Sequence, residues 1–235
     1  MHSSEQNYWK KLAADAAAKM VEDGMVVGLG TGSTAGLFVS ALGKRVAEEH
    51  LRISGIPTSE ATAAQARGLQ IPLTDFGAHA QIDLTVDGAD EIEHATLYLI
   101  KGHGGALLRE KIVASASKRM VVIADETKVT NRLGSLVSVP VEVVTFGWEA
   151  TQRKLAELGG KPALRMAKDG APFVTDGGHY IIDCAFGPMH DPKEVAHHLD
   201  HVVGSVEHGM FLKYASEACI GGRNGVTMLR RPTTS

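Results

Sequence analysis

Short, continuous apolar runs recur along the chain, and each one ends in glycine or polar residues before a helical pattern begins. Three of these runs are Met25–Leu29, Ile82–Val86 and Arg119–Ala124. Runs of this length without polar alternation are typical of strands that are buried on both faces. Strands that alternate with helices favour a parallel sheet covered by helices. The sequence therefore predicts an α/β fold with an open, largely parallel, Rossmann-like sheet flanked by helices.

From about residue 133 the pattern changes to shorter strands and two helices. The predicted strands are Val139–Val144, Leu164–Met166, Phe173–Thr175 and Tyr180–Cys184, and the predicted helices are Trp148–Leu158 and Pro192–Val203. Glycine-containing turns separate these elements. We therefore expect residues 133–205 to form a small inserted α+β subdomain, which serves as a lid or in oligomerisation. Residues 1–132 and 206–235 are expected to form the catalytic α/β domain.

Composition excludes several classes of protein. The 235 residues carry a formal net charge of −3, which gives no reason to expect binding to nucleic acid or to an anionic membrane. No apolar run approaches the roughly 20 residues of a membrane span, and the N-terminal segment lacks the apolar core of a signal peptide. Cys184 and Cys219 lie far apart in the sequence, which favours a reducing cytoplasm.

A glycine- and hydroxyl-rich turn, Gly28–Thr34, follows the first apolar run and precedes a helical pattern. A helix N-terminus directs backbone N–H groups and its positive dipole end toward an anion. Thr31, Ser33 and Thr34 add hydroxyl donors. The spacing matches neither the Walker pattern nor the dinucleotide fingerprint. The turn therefore indicates a compact anion such as one phosphate monoester, although such turns also serve simply to connect a strand to a helix.

The segment Ile82–Lys111 concentrates ionisable residues at the ends of predicted strands. An acidic loop, Asp87–Glu91, follows one strand, and a second strand, Leu97–Ile100, delivers Lys101. A glycine-rich turn, Gly102–Gly105, then leads into a helix. Two acids beside a lysine have coupled proton affinities, which proton-transfer chemistry uses. We expect a ligand site here, because ligands bind at the carboxyl ends of strands in open α/β sheets.

Other interpretations of these residues stay open at the level of the sequence. Four acids, Asp87, Asp90, Glu91 and Glu93, could supply the oxygen ligands of a divalent cation. His197 and His201 are spaced i, i+4 and could form a metal-binding face of a helix. Glu110 and Lys128, taken alone, are solvated surface charges. They belong to a site only if the strand ends converge.

The chain resembles the ribose-5-phosphate isomerase A family in motifs that occur in the family's order. These motifs are Gly30–Thr34, Asp83–Ile92, Lys101–Gly104 with Leu107–Lys111, and Ile123–Lys128. Pro140–Val143 and Leu158–Gly160 also fit. The resemblance spans most of the chain and weakens toward the C-terminus.

The resemblance implies a reversible aldose–ketose isomerisation of D-ribose 5-phosphate and D-ribulose 5-phosphate through a cis-enediolate, with neither metal nor organic cofactor. Glu110 resembles the base that moves a proton between C2 and C1, and Lys101 resembles the group that stabilises the oxyanion. Asp87 and Asp90 resemble the groups that transfer hydroxyl protons, including in ring opening. The substrate-binding residues that it implies are Lys10, Thr31, Gly32, Ser33, Thr34, Asp87, Gly88, Ala89, Asp90, Lys101, Gly102, His103, Gly104 and Lys128. It also implies a homodimer or a tetramer.

The chain departs from the family pattern at His103, where a third glycine is usual, and in a longer spacing from Asp90 to Lys101. Its C-terminal segment Phe211–Ser216 lacks the Asn-Arg pair often found there. These departures leave open an isomerase for a different pentose or tetrose phosphate. A sugar-phosphate sensor domain is the alternative from another class, but a sensor would not need the acid pair, Lys101 and Glu110 together.

Overall fold

A computed structural model describes residues 2–232 of the chain. Within this range the helices are α1 (His2–Ala18), α2 (Ser33–Glu48), α3 (Glu60–Gly68), α4 (Leu107–Ser115), α5 (Trp148–Glu157) and α6 (Pro192–Asp200). The strands, numbered in chain order, are β1 (Val26–Leu29), β2 (Ser54–Pro57), β3 (Leu84–Gly88), β4 (Glu91–Glu93), β5 (Leu99–Ile100), β6 (Met120–Asp125), β7 (Val129–Thr130), β8 (Val139–Val143), β9 (Lys161–Leu164), β10 (Tyr180–Ala185), β11 (Ser205–His208), β12 (Met210–Phe211), β13 (Glu217–Gly222) and β14 (Gly225–Arg230).

The largest sheet has six strands in the order β14-β13-β6-β3-β1-β2. Five of them run parallel, and only the edge strand β14 is antiparallel to its neighbour β13. All residues of β1 and β6 are buried, as expected for strands covered on both faces. Phe38 and Leu42 of α2 pack with Leu29 and Val86 in the central apolar cluster. The predicted α/β class with a largely parallel sheet is confirmed.

Two smaller sheets complete the architecture. One is antiparallel with the order β11-β8-β10-β9, and its core contains Val141, Leu155, Ile182 and Leu199. The other has the order β12-β5-β4-β7. The antiparallel sheet with α5 and α6 fits the predicted inserted α+β subdomain, whereas the exact limits of the domains stay a prediction.

Several predicted element boundaries differ from the structure. The predicted strand Phe173–Thr175 is wrong, because these residues follow a turn and pair with no strand. The predicted Leu164–Met166 strand instead occupies Lys161–Leu164, where a proline and a lysine conceal the pattern. Asp87 lies inside β3 rather than in a loop, because its carboxylate is buried against a lysine and backbone donors. No helix among the residues described combines the length and the apolar character needed to cross a bilayer.

The parallel pairing brings three strand ends to one edge of the main sheet. Leu29 at the end of β1 is opposite Val86 of β3, and Gly88 at the end of β3 is opposite Ile123 of β6. Segments that follow β1, β3 and β6 therefore meet at this edge. It is the position at which open α/β sheets bind their ligands.

Candidate active site

A cavity of about 100 Å³ lies at this edge of the sheet. It is lined by Lys10, Thr31, Gly32, Ser33, Thr34, Gly88, Ala89, Asp90, Lys101, Gly102, Gly104, Glu110 and Lys128. Every lining residue belongs to the set predicted from the sequence, although these residues come from five separate stretches of chain. Two predicted residues, Asp87 and His103, do not line the cavity. The roles assigned to the individual residues stay predictions.

Lys101 is the buried centre of the charged cluster, with 2% of its surface exposed. Its Nζ donates to the carbonyl oxygen of Gly88 at 2.6 Å and to Oε1 of Glu110 at 3.1 Å. It also lies 3.0 Å from Oδ2 of Asp87, in a direction that does not form a hydrogen bond. Burial by itself lowers the pKa of Lys101, but the charges of Asp87 and Glu110 outweigh it and raise the pKa. Lys101 therefore carries a fixed positive charge beside the cavity.

Glu110 lies in the first turn of α4 and is 4% exposed. The glycine-rich turn before α4 folds the start of this helix over the strand ends, so the residue is not a solvated surface carboxylate. Burial, followed by the charge of Asp87, raises the pKa of Glu110 to about 8, although Lys101 opposes the shift. Its second oxygen, Oε2, is buried and has no hydrogen-bond partner among the residues described.

Asp87 is held from below the cavity. Its Oδ1 accepts the backbone N–H groups of Thr31 at 3.1 Å and of Gly88 at 2.7 Å. Gly30 permits this approach, since a Cβ atom at Gly30 would lie 2.2 Å from Oδ1 of Asp87. Like Oε2 of Glu110, Oδ2 of Asp87 is buried without a hydrogen-bond partner in the described part of the chain. Buried polar atoms of this kind are rare in native proteins and mark sites where a ligand completes the bonding.

The other end of the cavity is built to bind an anion. The helix α2 begins at Ser33, so the N–H groups of its first turn have no acceptor within the helix. Lys10 of α1 reaches across and donates to Oγ of Ser33 at 3.2 Å. Lys128 lines the same cavity from the 3₁₀ turn Glu126–Lys128 after β6. Two ammonium groups and a helix N-terminus together favour a phosphate group.

The hydroxyl of Thr31 contacts protein groups beside the cavity. Its Oγ1 lies 2.7 Å from Oγ1 of Thr58 and 3.1 Å from Oγ1 of Thr62, and it donates to Oγ of Ser59 at 2.8 Å. Thr62 in turn donates to the carbonyl oxygen of Gly30. This hydroxyl cluster fixes the loop that carries Ser33 at the anion end. Thr58, Ser59 and Thr62 were missed from the sequence, since isolated hydroxyl residues give no signal of a shared position.

Asp90 and His103 meet beside the cavity through the backbone. The N–H of His103 donates to Oδ2 of Asp90 at 3.0 Å. The imidazole Nε2 of His103 donates to the carbonyl oxygen of Ser138 at 3.1 Å, so the ring is directed away from the cavity. A crowding of the ligand by this ring is therefore not present in the structure.

The acids considered as cation ligands do not converge. Glu91 is fully buried and accepts backbone N–H groups from the segment 134–137, and Glu93 accepts from Thr96 Oγ1. His197 and His201 stack at a centroid distance of 4.5 Å. The cluster of potential metal ligands found within residues 2–232 is Asp200, Glu207 and His208, and the Lys111 ammonium already lies 2.7 Å from Glu207.

Comparisons with known proteins agree with this geometry. The family model for ribose 5-phosphate isomerase A (phosphoriboisomerase A) matches residues 54–225. The ribose-5-phosphate isomerase A of Gluconobacter oxydans is 53% identical over 96% of this chain and 98% of its own length. A solved ribose 5-phosphate isomerase A from Methanocaldococcus jannaschii superposes with a TM-score of 0.91, is 40% identical and covers 95% of this chain and 98% of its own. A D-ribose-5-phosphate isomerase solved in complex with phospho-erythronic acid superposes with a TM-score of 0.92 at 38% identity, with the same coverage of both chains.

Proposed function

The chain belongs to the ribose 5-phosphate isomerase A family, and we propose from this premise that it interconverts D-ribose 5-phosphate and D-ribulose 5-phosphate through a cis-enediolate. The observation that carries the proposal is the buried pair of unpartnered carboxylate oxygens, on Asp87 and Glu110, on either side of Lys101. The complex of a similar isomerase with phospho-erythronic acid supports a sugar phosphate as the ligand.

Glu110 is the base in this reaction. Its free oxygen Oε2 removes the proton from C2 of the open-chain aldose and returns it to C1. Burial raises the pKa of Glu110 to about 8, which makes it a far stronger base than an exposed carboxylate. A positioned base contributes typically 10²–10⁴-fold to the rate. The proposal therefore assigns to burial the role of matching the base to neutral pH.

Lys101 stabilises the negative charge that develops on the carbonyl oxygen. Its ammonium group is fixed by Gly88 and Glu110, so it need not reorganise when the charge appears. Asp87 and Asp90 transfer the hydroxyl protons, including the proton that moves when the sugar ring opens. The unpartnered Oδ2 of Asp87 supports such a role.

The phosphate group lies at the N-terminus of α2. Ser33, Thr34 and the first-turn N–H groups donate to its oxygens, and Lys10 and Lys128 balance its charge. Binding at this remote end holds C1 and C2 over Glu110 and Lys101. The binding energy of the phosphate is thereby used to orient the reacting carbons.

The test is turnover of ribose 5-phosphate by the wild-type chain in EDTA, with Glu110→Gln alongside. We expect the wild type to remain active, and Glu110→Gln to bind the substrate but to lose at least 10²-fold in kcat. The matched control is Glu149→Gln, an exposed glutamate in the first turn of α5.

Each alternative has its own outcome in this assay. Tight binding without turnover by the wild type would favour the sugar-phosphate sensor. Faster turnover of another pentose or tetrose phosphate would change the substrate and keep the reaction type. Activity that is lost in EDTA and regained with a divalent cation would assign a metal to the reaction.

The same proposal includes a homodimer in the cytoplasm. Phe146 and Val203 are 93% and 88% exposed, and the bond from the Val144 N–H to the Gly204 carbonyl oxygen brings their segments together. An exposed apolar patch of this kind supports contact with a second copy. Cys184 and Cys219 are free and buried, which supports a reducing compartment. Sedimentation of the wild type and of Phe146→Asp tests the dimer; an unchanged mass for the variant would argue against this patch.

A further inference from the structure

Arg165, which directly follows β9, contacts the glycine-rich turn that borders the cavity. Its Nη1 donates to the carbonyl oxygen of Gly102 at 2.9 Å and to that of His103 at 3.1 Å. Arg165 itself does not line the cavity and belongs to no motif found in the sequence. It reaches the turn from the antiparallel sheet, which is separate from the main sheet.

The guanidinium group is held on its other sides as well. Nε donates to Oδ2 of Asp183 at 2.9 Å, and Nη2 donates to Oδ1 of the same carboxylate. The side chains of Arg165 and Asp183 are only 13% and 23% exposed. The ring of Phe173 lies 6.0 Å from Cζ of Arg165 and also packs on Gly105, where a Cβ atom would approach it to 2.4 Å. Arg165 is therefore a rigid support and not a mobile surface charge.

The planarity of the peptide bond transmits this support to the cavity. In a trans peptide the N–H points opposite to the C=O of the same unit, and the described residues contain no cis peptide. Because Arg165 fixes the carbonyl groups of Gly102 and His103, the N–H groups of His103 and Gly104 point away from it. The first of these donates to Oδ2 of Asp90 at 3.0 Å, as this argument requires.

The N–H of Gly104 is the remaining donor. It has no acceptor among residues 2–232, and Gly104 lines the cavity. The turn does not hold this orientation by itself, since Gly102 and Gly105 have φ values of +108° and +81°, and one backbone bond, from Gly105 N–H to the Gly102 carbonyl oxygen, closes it. Glycines in these conformations are free to rotate unless neighbours restrain them.

We propose that Arg165 is a positioning residue for catalysis, which aligns the Gly104 N–H as a donor to the enediolate oxygen atoms. This inference rests on the proposed isomerase function and adds a backbone donor to the Lys101 ammonium. A preorganised donor acts only on the charge that develops in the transition state, so its loss lowers kcat more than it raises KM. Arg165 is thus expected to affect chemistry although it contacts no substrate.

The test compares Arg165→Met and Arg165→Lys with Arg153→Met, an exposed arginine in α5 that serves as a matched control. Arg165→Met should lose about 10–100-fold in kcat, which approaches the effect of removing one oxyanion donor, with KM changed by less than about threefold. Lysine cannot bind a carboxylate twice and two carbonyl groups at once, so Arg165→Lys should restore only part of the rate.

Two inhibitors separate positioning from a general loss of structure. Phospho-erythronate carries a carboxylate at the end opposite its phosphate, whereas inorganic phosphate occupies only the anion end. Arg165→Met should weaken phospho-erythronate by about tenfold, which is the value of one neutral hydrogen bond, and leave inorganic phosphate unchanged. Equal weakening of both inhibitors, or kcat within twofold of the wild type, would overturn the inference.

Two further outcomes are assigned in advance. If Arg165→Met does not fold, Asp183→Asn keeps the guanidinium and loosens its support, and wild-type kcat in that variant would overturn the inference. An inactive wild type would count against the proposed reaction itself. An active wild type with an unaffected Arg165→Met would refute the role of Arg165 alone.

Discussion

Replacing Glu110 with glutamine is expected to abolish turnover and also to raise the free energy of unfolding at neutral pH. The folded chain buries Glu110 beside the carboxylate of Asp87, and burial with this charge raises its pKa from 4.5 to about 8. Glutamine resembles the protonated carboxyl group and cannot ionise. Its Oε1 can still accept the hydrogen bond from Lys101. The variant therefore keeps the contacts of the buried group and removes its titration.

The sign follows from proton linkage. Between about pH 4.5 and pH 8 the folded state holds a proton on Glu110 that the unfolded state has released. The wild type therefore loses stability as the pH rises through this window, on the order of 1 kcal/mol for each pH unit. Above the folded pKa both states are ionised and the loss stops growing. Relative to the wild type, Glu110→Gln should gain several kcal/mol by pH 8 and almost nothing at pH 4.5.

Urea unfolding of both proteins at pH 5, 6.5 and 8 measures this difference, with the fluorescence of Trp9 and Trp148 as the signal. The protein concentration is kept constant, because any oligomer makes the midpoint depend on it. Glu149→Gln, on the exposed face of α5, should differ from the wild type by the same small amount at each pH. A stability difference for Glu110→Gln that is flat from pH 5 to 8 would refute the raised pKa and the argument built on it.

Three further predictions concern the rate and the anion end. In wild-type enzyme kcat/KM should fall about tenfold for each pH unit below 8, since Glu110 acts as a base only when ionised; a rate that rises toward pH 6 would contradict this assignment. Lys128→Met should raise KM for ribose 5-phosphate about tenfold, the value of one charge-assisted bond, with kcat nearly unchanged; a loss confined to kcat would remove Lys128 from phosphate binding. Gly221→Ala would place a Cβ atom 1.9 Å from the carbonyl oxygen of Trp9, so α1 must shift together with Lys10. We expect a loss of about 1–3 kcal/mol in unfolding free energy and a raised KM, and an unaltered KM would show that Lys10 does not depend on this packing.

The fold class could be predicted because it depends on local pattern. The apolar runs ending near Leu29, Val86 and Ala124 became β1, β3 and β6, whose residues are almost entirely buried. A strand covered on both faces must be apolar throughout, so its composition alone identifies it. The pattern was less informative for β9, where half of the residues are exposed and the sequence contains a proline.

The residues of the cavity were also predicted, although their environment was not. A short motif states which side chains follow a strand, and parallel pairing places such ends together. It does not state how many carboxylates face one lysine. Glu110 read alone as a surface charge, yet its pKa is raised to about 8 because the fold excludes water from it. Burial is a property of the surrounding elements and not of the residue.

By itself, then, the sequence determined the alternation of strands and helices, the anion-binding turn and the identity of the residues at the strand ends. These properties arise from side-chain periodicity and from backbone preferences over a few neighbouring residues. Only the tertiary structure decided that Thr31 is held by three hydroxyl groups, that His103 turns away, and that Arg165 supports the glycine-rich turn from another sheet. Contacts between residues distant in sequence depend on how whole elements pack, and no local pattern encodes that arrangement.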